Sequence, residues 1–254
     1  MNKMNISIKR DGLTLRGELL RAGEGKSPVA ILFHGFMSSI RPSKDSILSC
    51  IADKLVANGI SVVRFDFNGH GTSDGEFSDM NVYSEILDAA KIVDYVRKLD
   101  FVTDIYIVGH SQGALVGGMT AGYYRECISK LVLLAPAATM KDDAQAGHCF
   151  GTPYDMVNVP DYFPVQNIYN EKFNVGGLYF RVARTLPIYD TTSMFEGKTL
   201  IMHGSKDPVV GLVGAKRYTE CMKNVTLEVV EGEGHGLCDF ALESTAERVI
   251  EFLK

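Results

Sequence analysis

The stretch Ile105-Tyr106-Ile107-Val108-Gly109-His110-Ser111-Gln112-Gly113-Ala114-Leu115-Val116 decides the reading of this chain. Its first four residues are β-branched or aromatic and suit a buried strand. From Ala114 to Ala121 the residues are small or apolar and suit a closely packed helix. Between the two lies the pattern G-x-S-x-G. A serine between glycines is by itself an ordinary turn, but a strand before it and a helix after it describe a nucleophile elbow. The turn is tight, so its flanks must be small, and Gly109 and Gly113 let strand and helix approach with no Cβ in the way. Ser111 is left at the tip, at a helix N-terminus, where free N–H groups and the dipole favour a developing oxyanion.

Outward from the elbow the chain alternates strand and helix. Residues 6–9 and 13–20 read as strands joined at Asp11-Gly12, a hairpin signal. After a loop over 23–28, residues 29–33 form a nearly continuous apolar run, as expected of a strand buried on both faces. Ile47, Leu48, Ile51, Ala52 and Leu55 recur at helical spacing until Gly59 stops them. A strand over 60–66, a glycine-rich turn over 69–75 and a helix over 83–99 precede the elbow. Beyond it come strands at 130–134, 199–203 and 226–230, with a helix near 215–222 before the last strand. An amphipathic helix from 237 or 238 to 254 closes the chain, with Phe240, Ala241, Val249, Phe252 and Leu253 available to pack. This alternation predicts an α/β fold: a mostly parallel central sheet with helices on both faces and an antiparallel hairpin at one edge. The whole chain, 1–254, reads as a single domain.

One region breaks the rhythm. Between the strand ending at Leu134 and the one starting near Thr199 lies more chain than a crossover needs. Residues 139–190 carry nine of the chain's 24 Phe and Tyr: Phe150, Tyr154, Tyr162, Phe163, Tyr169, Phe173, Tyr179, Phe180 and Tyr189. We read this segment as a cap inserted over the C-terminal edge of the sheet. Its aromatics either form a small core of the insert itself or line a pocket, as ligand sites favour.

A serine hydroxyl needs a base, and the base needs an orienting carboxylate. The strand at 199–203 runs into Gly204-Ser205-Lys206-Asp207-Pro208, and the strand at 226–230 runs into Gly232-Glu233-Gly234-His235-Gly236. Both loops leave the carboxyl ends of parallel strands, the rim that Ser111 also occupies. Ser111, His235 and Asp207 are therefore the expected catalytic residues, although Asp207 before a proline also suits an ordinary turn. The expected oxyanion donors are the backbone N–H groups of Gln112, next to the nucleophile, and Phe36, in the His34-Gly35-Phe36 loop after an early strand. His34 and His110 take structural roles beside the site, and His34 is also grouped with the substrate-binding residues.

Composition narrows the classes. A formal net charge of −5 argues against a nucleic-acid partner. No run approaches the roughly 20 apolar residues of a membrane span, and the first residues show no apolar signal region, so a cytoplasmic protein is expected. Five scattered cysteines without C-x-x-C suit buried free thiols rather than a disulfide framework or a zinc site. The six histidines form no metal-ligand pair, and no cofactor is expected.

Leu32-Phe33-His34-Gly35-Phe36, the run from Asp66 to Gly75, Gly109-His110-Ser111-Gln112-Gly113, Gly204-Ser205-Lys206-Asp207 and Gly232-Glu233-Gly234-His235 resemble the α/β-hydrolase superfamily over nearly the whole chain. Within it, Leu134-Ala135-Pro136-Ala137-Ala138-Thr139, Val175-Gly176-Gly177-Leu178-Tyr179-Phe180 and Leu186-Pro187-Ile188-Tyr189 resemble the bacterial cinnamoyl (feruloyl) esterases. The resemblance implies a serine esterase, acting on a small-molecule aromatic ester, that frees ferulic, caffeic or p-coumaric acid from sugar or quinate esters. It also implies that Asp143 and Tyr179 in the cap meet the phenolic hydroxyl; Asp143 reads equally as a solvated acid beside Lys141 and Asp142. A monoacylglycerol lipase or acyl thioesterase is the nearest rival, and a non-catalytic ligand receptor the rival of another class. The oligomeric state is left open, a homodimer included.

Overall fold

A computed structural model describes residues 2–40, 43, 45–149, 152–166 and 170–254. The elements are β1 (Asn2–Arg10), β2 (Leu13–Arg21), β3 (Ser27–Phe33), α1 (Ile47–Ala57), β4 (Ser61–Phe65), α2 (Val82–Val96), β5 (Val102–His110), α3 (Gln112–Tyr123) and β6 (Ile128–Leu134). There follow α4 (Met140–Gln145), the short strands β7 (His148–Cys149) and β8 (Thr152–Pro153), β9 (Tyr162–Gln166), β10 (Lys172–Gly176), α5 (Gly177–Ala183) and α6 (Ile188–Thr192). The chain ends with β11 (Lys198–Gly204), α7 (Leu212–Cys221), β12 (Val225–Val230) and α8 (Leu242–Leu253).

The central sheet has eight strands in the order β1-β2-β4-β3-β5-β6-β11-β12. β2 is antiparallel to β1 and to β4, and every other pairing in this sheet is parallel. The two-residue period of each strand sorts its side chains onto two faces. Val29, Ile31 and Phe33 of β3, Ile105 and Ile107 of β5, and Leu131 and Leu133 of β6 join one core with α2 and α3. Ala30, Leu32, Tyr106, Val108, Val132 and Leu134 join the other, with α1 and α8. Both faces are covered, which is why the parallel strands read as unbroken apolar runs.

Three local expectations need correction. β3 begins at Ser27, inside the expected loop. The Ser27 N–H donates to Phe101 O at 3.0 Å, and the register shifts between Ser27 and Val29, a bulge that accommodates Pro28 and its missing N–H. The last helix starts at Leu242 rather than 237 or 238. The Glu233 carboxylate takes the N–H groups of Asp239, Phe240 and Ala241 at 2.5 to 3.2 Å and holds them in a loop. Phe240, expected to pack, is consequently 70% exposed.

Residues 139–190 contain α4, β7 to β10, α5 and part of α6. Of their nine aromatics, Phe150 and Tyr169 lie outside the described residues, and Tyr179 and Phe180 line the cavity discussed below. Tyr154 and Phe163 pack on Phe180, and Phe173 packs on Phe77. α6 lies against α3, where Thr191 and Thr192 sit so close to Gly122 and Gly118 that a side chain at either glycine would meet them.

Candidate active site

β5 ends at His110 and α3 begins at Gln112, so Ser111 makes the whole turn, at φ +57° and ψ −122°. A non-glycine residue there costs about 1–3 kcal/mol and persists only where its surroundings hold it. Here the Ser111 N–H donates to Leu134 O at 2.9 Å, and Ser111 O accepts from Ala114, Leu115 and Ala137 at 3.0 to 3.3 Å. The glycines allow the crossing. A side-chain carbon on Gly109 would overlap the backbone of Gly113 and Ala114, and one on Gly113 would overlap the carbonyls of Phe33 and His34.

Three loops at the carboxyl edge of the sheet then bring Ser111, His235 and Asp207 together. Ser111 Oγ lies 2.9 Å from His235 Nε2, and His235 Nδ1 lies 2.7 Å from Asp207 Oδ2. A carboxylate only accepts, so Nδ1 carries the hydrogen and Nε2 presents its lone pair to the serine hydroxyl. Asp207 makes the contacts of both readings considered for it. Its Oδ1 takes the N–H groups of Val209 at 2.8 Å and Val210 at 3.0 Å in a turn, while Oδ2 faces the imidazole. Burial works to raise its pKa, but hydrogen bonds from His203 and His235, and the charge His235 can carry, outweigh burial and hold the carboxyl well below its usual range.

His110 Nε2 donates to the carbonyl of His235 at 2.9 Å, and the two rings pack at 5.0 Å. Burial, reinforced by the neighbouring His235, pushes His110 down to about 4, so it is a neutral support rather than a competing base. Glu233, fully buried, fixes the other side of the His235 loop through the three N–H groups already described. Gly204 accommodates the same loop, since a side chain there would overlap the carbonyls of Glu233 and Gly234.

The Gly35-Phe36 loop lies directly against the serine. A Cβ built on Gly35 would sit 3.1 Å from Ser111 Cβ and 3.6 Å from its Oγ. Gln112 opens α3, where the first N–H groups have no intrahelical partner. These are the two places expected to supply oxyanion donors. His34, grouped with the substrate-binding residues, is not among the residues that line the cavity described below. It is 2% exposed, and its Nε2 accepts from the Phe67 N–H at 3.1 Å while Nδ1 donates to Gly35 O at 2.9 Å. Its role is to pin the Gly35 carbonyl, and burial lowers its pKa accordingly.

Ser111 and His235 open onto a cavity of about 940 Å³. Phe36, Met140, Asp143, Tyr179 and Phe180 line it together with Val209 and Val213. The Tyr179 ring packs at 5.3 Å on that of Phe36, and its hydroxyl donates to Gln112 Oε1 at 2.6 Å. The Gln112 amide in turn donates to Glu85 Oε2 at 2.7 Å. Tyr179 thus ties the cap to the residue after the nucleophile. Asp143 Oδ2 accepts from Thr139 Oγ1 at 2.8 Å on the cavity wall. Sequence reasoning passed over Glu85, Glu233 and His203. Glu233, between two glycines beside His235, carried a visible signal; Glu85 looked like any acid in a helix's first turn. Among the described residues no group of three or more His, Cys, Asp or Glu is arranged to hold a metal ion, and no helix is long and apolar enough to cross a membrane.

The arrangement has counterparts. The model of the family described as "Serine aminopeptidase, S33" matches residues 26–153. The human monoacylglycerol lipase ABHD6 is 22% identical over 92% of this chain and 77% of its own length. A probable esterase of rice is 31% identical over 122 residues, 48% of this chain and 42% of its own. Est1E from Butyrivibrio proteoclasticus, solved with ferulic acid bound, superimposes with a TM-score of 0.91 at 33% identity, covering 98% of this chain and 97% of that one.

Proposed function

We propose, for a chain that belongs to the α/β-hydrolase superfamily and to its family described as serine aminopeptidase, S33, that the carboxylic ester hydrolysed is a hydroxycinnamate. What carries this reading is the unbroken line from Asp207 through His235 to Ser111, opening on a cavity walled by Phe36, Tyr179 and Phe180. A flat aryl-propenoyl group suits aromatic walls, and a phenol can donate to the Asp143 carboxylate or to the Tyr179 oxygen. The similarity to Est1E, which holds ferulic acid, supports the same ligand class.

His235 Nε2 takes the proton of Ser111 Oγ as the oxygen attacks the ester carbonyl. Negative charge passes to the carbonyl oxygen, which the N–H groups of Gln112 and Phe36 stabilise. Asp207 holds the imidazole in the required tautomer and balances its charge. His235 then gives its proton to the departing alcohol, leaving an acyl-Ser111 ester. Water, deprotonated by the same imidazole, releases the acid and restores the serine.

The test is initial rates on a feruloyl ester and a medium-chain acyl ester of matched leaving group, for the wild type and Ser111→Ala. Feruloyl preference, lost in the variant, supports the proposal. Preference for the aliphatic chain refutes the hydroxycinnamate and favours monoacylglycerol hydrolysis, the second reading, for which the ABHD6 relatives speak.

A further inference from the structure

His203 occupies the end of β11 with no exposed surface. A buried imidazole on an otherwise apolar strand needs polar partners. Its Nε2 lies 3.1 Å from Val210 O and 3.3 Å from Asp207 Oδ2. Both are acceptors, so Nε2 carries the hydrogen and shares it between them. Nδ1 is buried with no hydrogen-bond partner. The ring therefore bridges two residues, Asp207 and Val210, of the loop that follows β11. It also reaches the very oxygen that His235 Nδ1 contacts at 2.7 Å.

We propose that His203 is a positioning residue of the triad, a second N–H donor that fixes Asp207 Oδ2 and moderates its hold on the His235 proton. The inference rests on the triad reading above. With His203 in place the carboxylate has four N–H partners: the backbone of Val209 and Val210 on Oδ1, and two imidazoles on Oδ2. Remove the His203 donor and Oδ2 keeps more of its charge, so it binds the His235 proton more tightly. The loop also loses the tie that sets Oδ2 against Nδ1. The other titratable group whose charge acts on this cluster is His110 at the end of β5, while the nearby Glu233 carboxylate is bonded to backbone N–H groups of its own loop. Burial and the neighbouring His235 push His110 down to about 4.

The experiment is the pH profile of kcat/KM and kcat from pH 4.5 to 9 for the wild type, His203→Phe, His203→Asn, His203→Gln and Ser111→Ala. The substrate is whichever ester of the pair above is turned over faster, supplied as the methyl ester. Phenylalanine keeps the volume without a donor; asparagine, whose amide falls short of Oδ2, is the smaller variant should phenylalanine prevent folding. Glutamine places an amide N–H near the Nε2 position. Loss of one hydrogen bond to Oδ2 moves the acid limb upward by about half a unit to one unit in the Phe and Asn variants. We expect kcat to fall at least tenfold in those two with KM little changed, and His203→Gln to restore both the limb and most of kcat. Folded Phe or Asn variants with a wild-type acid limb, beside an inactive Ser111→Ala, would overturn the inference and leave the triad standing. An active Ser111→Ala would overturn both.

Discussion

Glu85 lies inside the protein at 1% exposure, with its carboxyl against the amide of Gln112 and one helical turn from Asp88. Burial, opposed by the Gln112 hydrogen bond and assisted by the Asp88 charge, pushes its pKa from 4.5 up to about 8. Between those values the folded protein keeps a proton that the unfolded chain releases. Stability therefore falls as pH rises through this window, by about 1.4 kcal/mol per pH unit, and levels off above pH 8. At pH 7 the accumulated loss is about 3 kcal/mol. Glu85→Gln retains an oxygen for the Gln112 N–H and cannot titrate, so it removes this slope. Urea unfolding of both proteins at pH 5, 6, 7 and 8 measures the difference, in which every other titrating group cancels. The stability of the variant relative to the wild type should rise by about 1.4 kcal/mol per unit from pH 5 to near pH 8. Parallel curves would refute a carboxyl held protonated beneath Gln112.

Gly35→Ala brings a methyl group to 3.1 Å from Ser111 Cβ and displaces the loop proposed to carry an oxyanion donor; kcat should drop about 10²-fold or more, the scale of one lost oxyanion donor, with the melting temperature near wild type. Tyr179→Phe leaves the buried Gln112 Oε1 without its donor and should cost about 1–3 kcal/mol in urea unfolding.

The tight turn at Ser111, the convergence of Ser111, His235 and Asp207, and the parallel sheet were legible because each is written in adjacent residues: a strand run, a glycine pair, a loop after a strand. His34 shows where that kind of reading stops. Its place beside Gly35 was visible, but its partner Phe67 lies 33 residues on, and the ring so bonded is buried and not part of the cavity lining. Glu85 meets Gln112 across 27 residues and Tyr179 meets it across 67, so no local pattern announces the relay that joins the cap to α3. The start of α8 was misplaced for the same reason. Phe240 and Ala241 suit a helix by composition, yet their N–H groups are claimed by Glu233.

The proposed hydrolysis runs through a covalent ester on Ser111. The most direct test mixes the protein with p-nitrophenyl ferulate, quenches it in acid within the first turnover and maps the peptides by mass. The account predicts the added mass of a feruloyl group on the peptide that carries Ser111, absent from Ser111→Ala, together with a burst of nitrophenol. Turnover without an adduct, or an adduct on another residue that survives in Ser111→Ala, would contradict it.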